Sequence, residues 1–430
     1  MNTREIALDA LIDITKKKLF SNIVLEKSFK TYDMDSRDRG FVTRLVEGTI
    51  ERLIYLDYVI NGVSKTATVD MNPVVLNILR MSAYQIIYMD KVPDSAACNE
   101  AVELAKSYGF RSLSGFVNGV LRSICRMDEV RLPNRKKNPA GYISTKYSFP
   151  KWMVKKLLKT YDKDTLEQIF AAMLSEKPLC IKVNTLKVTS DEFKHLLLQS
   201  GYEARVNPMA ADSFLIDSPE GLIGSELFEK GYFYIQDTSS ILGVSSAGIG
   251  PGMRVLDVCS APGGKSICAS LMMKGEGEIV SRDLSAAKVD KIKENIDRLG
   301  ITNINAQVQD ASRLVREDIG AYDVVIADLP CSGLGVMGRK TDIKYHVSQE
   351  TVEELAGLQR KILETVSQYV KPGGTLIYST CTITQEENWD NARWIAQNLP
   401  FKMEDERQLL PGDEIYYDGF FISRFTRLGD

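Results

Sequence analysis

Histidine is almost absent from this chain: His195 and His346 are the only two among 430 residues. They sit in unrelated settings and neither is flanked by the partners of a catalytic triad, so acid–base work falls to carboxylates or thiols. Cysteine is present, but not in a pattern that stitches a fold or cages a metal. The seven (Cys98, Cys125, Cys180, Cys259, Cys268, Cys331, Cys381) are odd in number, scattered, and contain no C-x-x-C pair. A disulfide framework and structural zinc are thereby disfavoured, and no metal is expected. Long apolar runs are missing too, none approaching the roughly 18 residues of a membrane span, so no membrane partner is expected. The opening stretch MNTREIALDALIDITKKK carries acids early and lacks an apolar core followed by a small-residue cleavage site. It does not read as a signal peptide, and a cytoplasmic location is expected.

With 44% hydrophobic and 26% charged residues the composition is that of a soluble globular protein, and 430 residues suffice for two or three domains. The net charge of −3 argues against a surface coated in positive charge, yet the average hides a local patch. Arg131, Arg135, Lys136, Lys137, Lys146, Lys151, Lys155, Lys156 and Lys159 succeed one another with no acid among them, interleaved with Tyr142, Tyr147, Phe149 and Trp152. Two readings are open: a surface that contacts phosphates and stacks bases, or a solvated linker followed by one basic helix face.

Residues 1–132 carry apolar stripes of helical period, such as Ile6, Ala10, Leu11 and Ile14, then Val42, Leu45, Val46, Thr49 and Leu53, and predict an all-α bundle. Pro133 to Pro139 reads as a linker separating this core from the next domain. Residues 140–235 alternate: PLCIKVNTLK, YEARVN and DSFLID are strand-like, and Thr189 with Glu192 forms a capping box that opens a helix, giving a small α+β domain. Residues 236–430 repeat short apolar strands, RVLDVC, EIVSRD, INAQVQD, YDVVIAD and GGTLIYST, with helical stretches or glycine turns between them. One of these stretches, AAKVDKIKENIDRL, sets Val289, Ile292, Ile296 and Leu299 on one face. Strands alternating with helices predict a doubly wound, Rossmann-like α/β sheet, in which ligands lie beyond the carboxyl ends of the strands. Asp257, Asp283, Asp310, Asp328 and Cys381 occupy those ends.

Within RVLDVCSAPGGKS, a strand runs into a loop and then a helix, the arrangement that lets backbone approach a nucleotide and points helix N–H groups at it. Gly264, Lys265 and Ser266 mimic the end of a P-loop, but Cys259 stands where that motif needs a glycine, so a nucleoside triphosphate is disfavoured. Asp283 follows Gly264 by 19 positions, about the separation at which an acid reaches the ribose of an adenosine cofactor. Each acid alone could simply cap a helix; the series is harder to dismiss. In YDVVIADLPCSGLG, Pro330 fixes a turn after Asp328 and Cys331 is presented beside glycines; in LIYSTCTITQEEN, Cys381 directly follows the next strand. A lone cysteine is usually a small buried hydrophobe, but two at adjacent strand ends of one sheet suggest a shared task.

These motifs, DVCSAPGGK, ADLPCSGLG, STCTITQEEN and the terminal DGFFISRF, closely resemble the RsmB (Sun/Fmu) family of 16S rRNA cytosine-C5 methyltransferases. Upstream, DRGFVTRLVEGTI and FVNGVLRS resemble that family's NusB-like helical domain, and SFPKWMVKKL with IKVNTLK its middle RNA-binding segment, so the likeness spans nearly the whole chain. Ser260, where alanine is usual, and Leu329 are minor departures. The resemblance implies a class I methyltransferase that uses S-adenosyl-L-methionine (SAM), held by Cys259, Ser260, Ala261, Pro262, Gly263, Gly264 and Lys265 with Asp283, Asp310 and Asp328. It implies Cys381 as nucleophile, Cys331 as the thiol that helps release product and Asp328 as the acid near the ring. The implied substrate is unassembled or partly assembled 16S rRNA, at the family's cytosine 967, and the implied state is a monomer. The chemistry agrees with the residues. Carbon 5 of cytosine is too weak a nucleophile to take a methyl from a sulfonium until a thiolate has added at carbon 6. That addition pushes charge onto the ring, which Asp328 would relieve if it carried or shared a proton. The base must be unpaired or flipped to be reached. Three other readings stand beside this one: a tRNA cytosine-C5 methyltransferase; an amino-methyltransferase, whose sites show an Asp/Asn-Pro-Pro-aromatic turn in place of Asp328, Leu329, Pro330 and Cys331; and a non-catalytic RNA-binding factor.

Overall fold

The computed structural model describes residues 2–412 and 417–429. By contact the chain forms two compact units, one taking the chain up to Leu174 and adding Arg339–Val347, the other comprising Ser175–Gly338 and Ser348–Asp430.

The first unit is helical. Its opening helix, Thr3–Lys17, starts at a capping box in which Asn2 accepts from the Glu5 N–H and the Glu5 carboxylate accepts from the Asn2 N–H, satisfying two donors that a helix start leaves unpaired. The expected stripes face inward: Ile6, Ala10, Leu11, Ile14, Val42, Leu45, Val46 and Thr49 are buried, with Leu53 half-buried. Pro133 to Pro139 does not part this core from its successor. Asn138 caps a helix over Pro139–Tyr147, and the Ser148 hydroxyl beyond it accepts from the N–H groups of Ile54 (3.0 Å) and Tyr55 (3.3 Å) at the start of Leu53–Val63. Helices Lys151–Leu157 and Lys163–Met173 also belong to this unit, so the stretch 140–235 divides after Leu174, its first helices going here and its sheet, with the helix Ser190–Gln199, to the other unit. Phe149 stacks on Phe170 at 3.9 Å, and both Tyr147 and Phe149 are buried. These two aromatics serve the core, which removes them from the proposed base-stacking surface.

The segment Arg339–Val347 is held by the same bundle. Ser21 N–H donates to Asp342 (2.6 Å), Thr341 donates to Glu47, and the buried Lys344 ammonium donates to the Glu51 carbonyl (2.7 Å) over the ring of Phe149.

The second unit holds two sheets. Strands β1 (Leu179–Val183), β2 (Arg205–Val206), β3 (Ser213–Ile216) and β4 (Phe233–Ile235) pair antiparallel in the order β2-β3-β1-β4. The helix Ser190–Gln199, opened by the expected Thr189/Glu192 capping box, buries Phe193 and Leu197 in the same core as Phe214 and Phe233. The larger sheet contains β5 (Arg254–Asp257), β6 (Glu278–Asp283), β7 (Ile304–Val308), β8 (Tyr322–Asp328), β9 (Val370–Thr380), β10 (Phe401–Leu409) and β11 (Phe420–Arg427). Its order is β10-β11-β9-β8-β5-β6-β7, parallel from β9 to β7, with β11 antiparallel to both β9 and β10. Strand β5 pairs with β6 on one side and β8 on the other, so the order reverses there, the switch point beyond whose carboxyl ends ligands lie in such sheets. Apolar runs buried on both faces, such as Val255 and Leu256 or Val324 to Ala327, are what a covered parallel strand requires. Among the described residues no helix is long and apolar enough to cross a membrane.

Candidate active site

The glycine-rich loop leaves β5 at Asp257 and enters the helix Gly264–Met272. Gly263 makes the turn at φ +102°, a conformation that favours glycine, and a Cβ there would lie 3.2 Å from Ile292. Ser260 ties the loop down: its N–H (2.8 Å) and hydroxyl (3.0 Å) both donate to the Arg282 carbonyl on β6. Asp283 pins it again, accepting from the N–H of Ala261 (3.0 Å) and of Leu284 (2.7 Å), with Lys288 3.0 Å away. Burial pushes the Cys259 thiol above its ordinary range, and its side chain packs against the core that holds Leu256, Val258 and Val325. Asp310 lies beyond β7, where hydrogen bonds from the Ser312 hydroxyl and N–H hold its carboxyl below the usual range.

Two buried polar atoms beside this loop have no hydrogen-bond partner among the described residues: Oδ1 of Asp257 and Nε2 of Gln236. Asp257 Oδ2 accepts from Ser266 (2.8 Å), and burial pushes the carboxyl up to about 7. A Cβ on Gly264 would sit 3.7 Å from Gln236 Nε2. Unsatisfied polar atoms around a backbone cradle are the mark of a polar ligand that completes them, and the donor and acceptor set suits a nucleoside with a charged tail. These residues therefore fit SAM.

The thiols lie at the neighbouring strand ends. Strands β8 and β9 run parallel with Asp328 opposite Ser379, and the loops beyond them bring Cys331 Sγ and Cys381 Sγ to 3.3 Å, both residues half-buried. Gly335 lets the loops close: its N–H donates to the Cys381 carbonyl (3.0 Å) and its own carbonyl accepts from Gly419 N–H (3.0 Å). A Cβ at Gly335 would fall 1.9 Å from the Gly419 oxygen. The hydrogen bond with Cys381, then burial, push the Cys331 thiol well above its ordinary range.

Asp328 is fully engaged as an acceptor, from Ser379 Oγ (2.8 Å) on one oxygen and from Lys265 Nζ (2.6 Å) on the other. Burial works to lower the Lys265 pKa, but the Asp328 carboxylate, helped by Asp257 and Cys381, more than offsets it and holds the ammonium above its usual range. Lys265 thus brings a proton donor into direct contact with the carboxyl that the sequence singled out. The loop residues, Asp283, Asp328, Cys331 and Cys381 thus line the carboxyl edge of one sheet, with Asp310 beyond the end of β7. Sequence reasoning missed Gln236, Ser379 and Glu387; the last is a buried carboxylate inside the run STCTITQEEN. Among the described residues no group of three or more His, Cys, Asp or Glu side chains could hold a metal ion.

A mostly parallel sheet reversing at β5, with a glycine loop after that strand and acids ending its neighbours, defines the Rossmann-like methyltransferase class. Comparison with known proteins narrows this. Residues 1–126 match the NusB family, residues 149–222 the ferredoxin-like domain of the RsmF/B-like methyltransferases, and residues 250–426 the family described as 16S rRNA methyltransferase RsmB/F. "Probable ribosomal RNA small subunit methyltransferase B" of Bacillus subtilis (strain 168) is 35% identical over 100% of this chain and 99% of its own length. The crystal structure of a methyltransferase homolog protein from Pyrococcus horikoshii, 25% identical, covers 66% of this chain and 98% of its own with a TM-score of 0.60. That of PH0851 covers 99% of both chains with a TM-score of 0.81 at 23% identity, a likeness of fold. The chain belongs to the ribosomal RNA small subunit methyltransferase B family. Its parts are a NusB-type helical domain, a ferredoxin-like domain and a Rossmann-like SAM methyltransferase domain.

Proposed function

We propose that this protein methylates carbon 5 of a cytosine in small-subunit rRNA, in the cytoplasm, through a covalent bond between Cys381 and carbon 6, with cytosine 967 as the target. The observation that carries the reading is the pair of thiols 3.3 Å apart, beside a lysine–aspartate pair, at adjacent strand ends of one sheet. Buried cysteines that only fill space need no such neighbours. Names borne by the relatives support rRNA as the substrate, and the NusB-type domain with the basic segment supports RNA as the partner. The site would hold SAM at the loop from Cys259 to Lys265, with Asp283 and Asp310 toward the nucleoside.

When bound, SAM supplies an electrophilic methyl group. The protein supplies the rest. The Cys381 thiolate donates its electron pair to carbon 6, forming the C–S bond and pushing charge toward N3, where the Lys265–Asp328 pair provides the proton. Once carbon 5 carries the methyl, its proton leaves to water and that bonding pair becomes the C5–C6 double bond as the C–S bond breaks and its pair returns to Cys381, while the N3 proton goes back to the Lys265–Asp328 pair. Cys331 assists this last step by donating a hydrogen bond to the departing sulfur. Incubating the full chain with SAM and either protein-free 16S rRNA, partly assembled subunits or tRNA, with nucleoside analysis and bisulfite mapping of the products, tests the reading. 5-Methylcytosine at one rRNA position is expected; methyl in tRNA alone, or on a nitrogen, contradicts it.

A further inference from the structure

Glu387 is fully buried and forms no ion pair with any described residue. Removing a carboxylate from water without a counter-charge is costly, so the fold retains it against a penalty that a neutral residue would avoid. Four donors meet it: Ser332 N–H (2.7 Å) and Gln359 Nε2 (3.3 Å) on Oε1, and the hydroxyls of Ser332 (2.6 Å) and Thr384 (2.7 Å) on Oε2. Every one of these contacts uses the carboxylate as an acceptor, and together they work against the burial that raises its pKa. Ser332 directly follows Cys331, and Thr384 lies in the loop that begins at Cys381. The Ser332 hydroxyl also contacts the Thr382 hydroxyl at 2.8 Å, so one carboxylate ties together the loops that present both sulfurs.

The charges around the two thiols are unlike. Near Cys331 are the carboxylates of Glu387 and Asp328 and the Tyr378 phenol, with Arg360 behind the tyrosine; Glu387 and Asp328 both push the Cys331 thiol further up. Cys381 lies instead within the field of the Lys265 ammonium. One proton shared between two sulfurs 3.3 Å apart settles away from the cation and toward the anion. We infer that Glu387 is a positioning residue that keeps the shared proton on Cys331, leaving Cys381 as the thiolate. This rests on the reading of the pair as nucleophile and assistant.

The test is alkylation of the full chain by iodoacetamide from pH 6 to 10, without RNA or SAM, with mass spectrometry of the peptides carrying each cysteine. In the wild type Cys381 is expected to react first and Cys331 only at higher pH; equal rates, or the reverse order, overturn the proposal without any variant. In Glu387→Gln, which retains the shape and removes the charge, Cys331 is expected to gain about tenfold in rate relative to Cys381 at pH 8, one pKa unit of bias. Thr384→Val removes one hydrogen bond and retains the charge, so the order should stand. If both variants change the order alike, Glu387 is only a brace and the proposal fails. Because no methyl transfer is involved, correct thiol order with no methylation would contradict the proposed function alone, and equal thiols in an active enzyme would contradict this inference alone.

Discussion

Asp257 holds its carboxyl beneath the glycine loop with one oxygen satisfied by Ser266 and the other by no described residue. Burial raises it from 3.8 to about 7, so between those values the native state retains a proton that the unfolded chain has released. Its contribution to stability is therefore complete below about pH 4 and lost as the pH rises past 7. Asp257→Asn keeps the acceptor for Ser266 and cannot ionise; its melting temperature should fall less than the wild type's between pH 4 and 8. Equal slopes would show that the carboxyl is not buried as described. Asp283 has a different duty. Asp283→Ala removes the acceptor of the Ala261 N–H in the loop and of the neighbouring Leu284 N–H together with the proposed ribose contact, so calorimetry should show SAM affinity reduced by about tenfold or more, with RNA binding nearly intact. Unchanged affinity would take Asp283 out of the cofactor site. The acids at strand ends were legible in the sequence because each closes an apolar run. Glu387 was not: in a polar run, Thr-Gln-Glu-Glu-Asn, nothing in composition distinguishes the carboxylate that turns inward from its neighbour.

Elements followed the same rule. Strands β5, β6, β8 and β9 announced themselves as short apolar runs ended by an acid or a turn, and the helix Ala286–Leu299 by its inward stripe of Val289, Ile292, Ile296 and Leu299. Strand β10 did not, because an edge strand faces water along most of its length and FKMEDERQL reads as a charged loop. Nor did the sequence reveal that the loop beyond Cys331 leaves its own domain, since residues 339–347 carry no signal but a buried lysine. Lys344 is lowered from 10.5 to about 7 by burial, so the unfolded chain holds a proton in that interval that the native chain lacks, and stability should rise with pH across it. Lys344→Met should flatten that rise in thermal melts; a slope equal to the wild type's would mean the ammonium is solvated. At Gly335 the two thiol loops meet too closely for any side chain, so Gly335→Ala should cost about 1–3 kcal/mol in urea unfolding. An unchanged midpoint would show that the loops are not packed as described.

For the whole molecule, the basic segment remains the surface to test against RNA, now without Tyr147 and Phe149. Lys136, Lys137 and Lys155 are exposed, and converting all three to glutamine should flatten the salt dependence of RNA binding by up to about 0.7 in slope for each phosphate that is no longer neutralised. An unchanged slope would return the segment to a solvated face. Sequence alone set a domain boundary near Pro133 because proline and lysine imitate a linker. The helices beyond it instead dock on Leu53–Val63, so deleting residues 1–130 should yield an aggregated remainder rather than a soluble domain. A soluble, monodisperse remainder by size-exclusion chromatography would mean that those helices fold without the bundle.

The covalent mechanism is tested most directly by trapping its adduct. Full-length Cys381→Ala and Cys331→Ala variants are each incubated with SAM and 16S rRNA, then run on denaturing electrophoresis. Cys331→Ala should attack and methylate but stall at elimination, leaving a protein–RNA band that survives denaturation. Cys381→Ala and the double variant should give none, although both ligands still bind. A band from Cys381→Ala and none from Cys331→Ala would reverse the roles of the thiols, and a band from neither would contradict covalent catalysis by this pair.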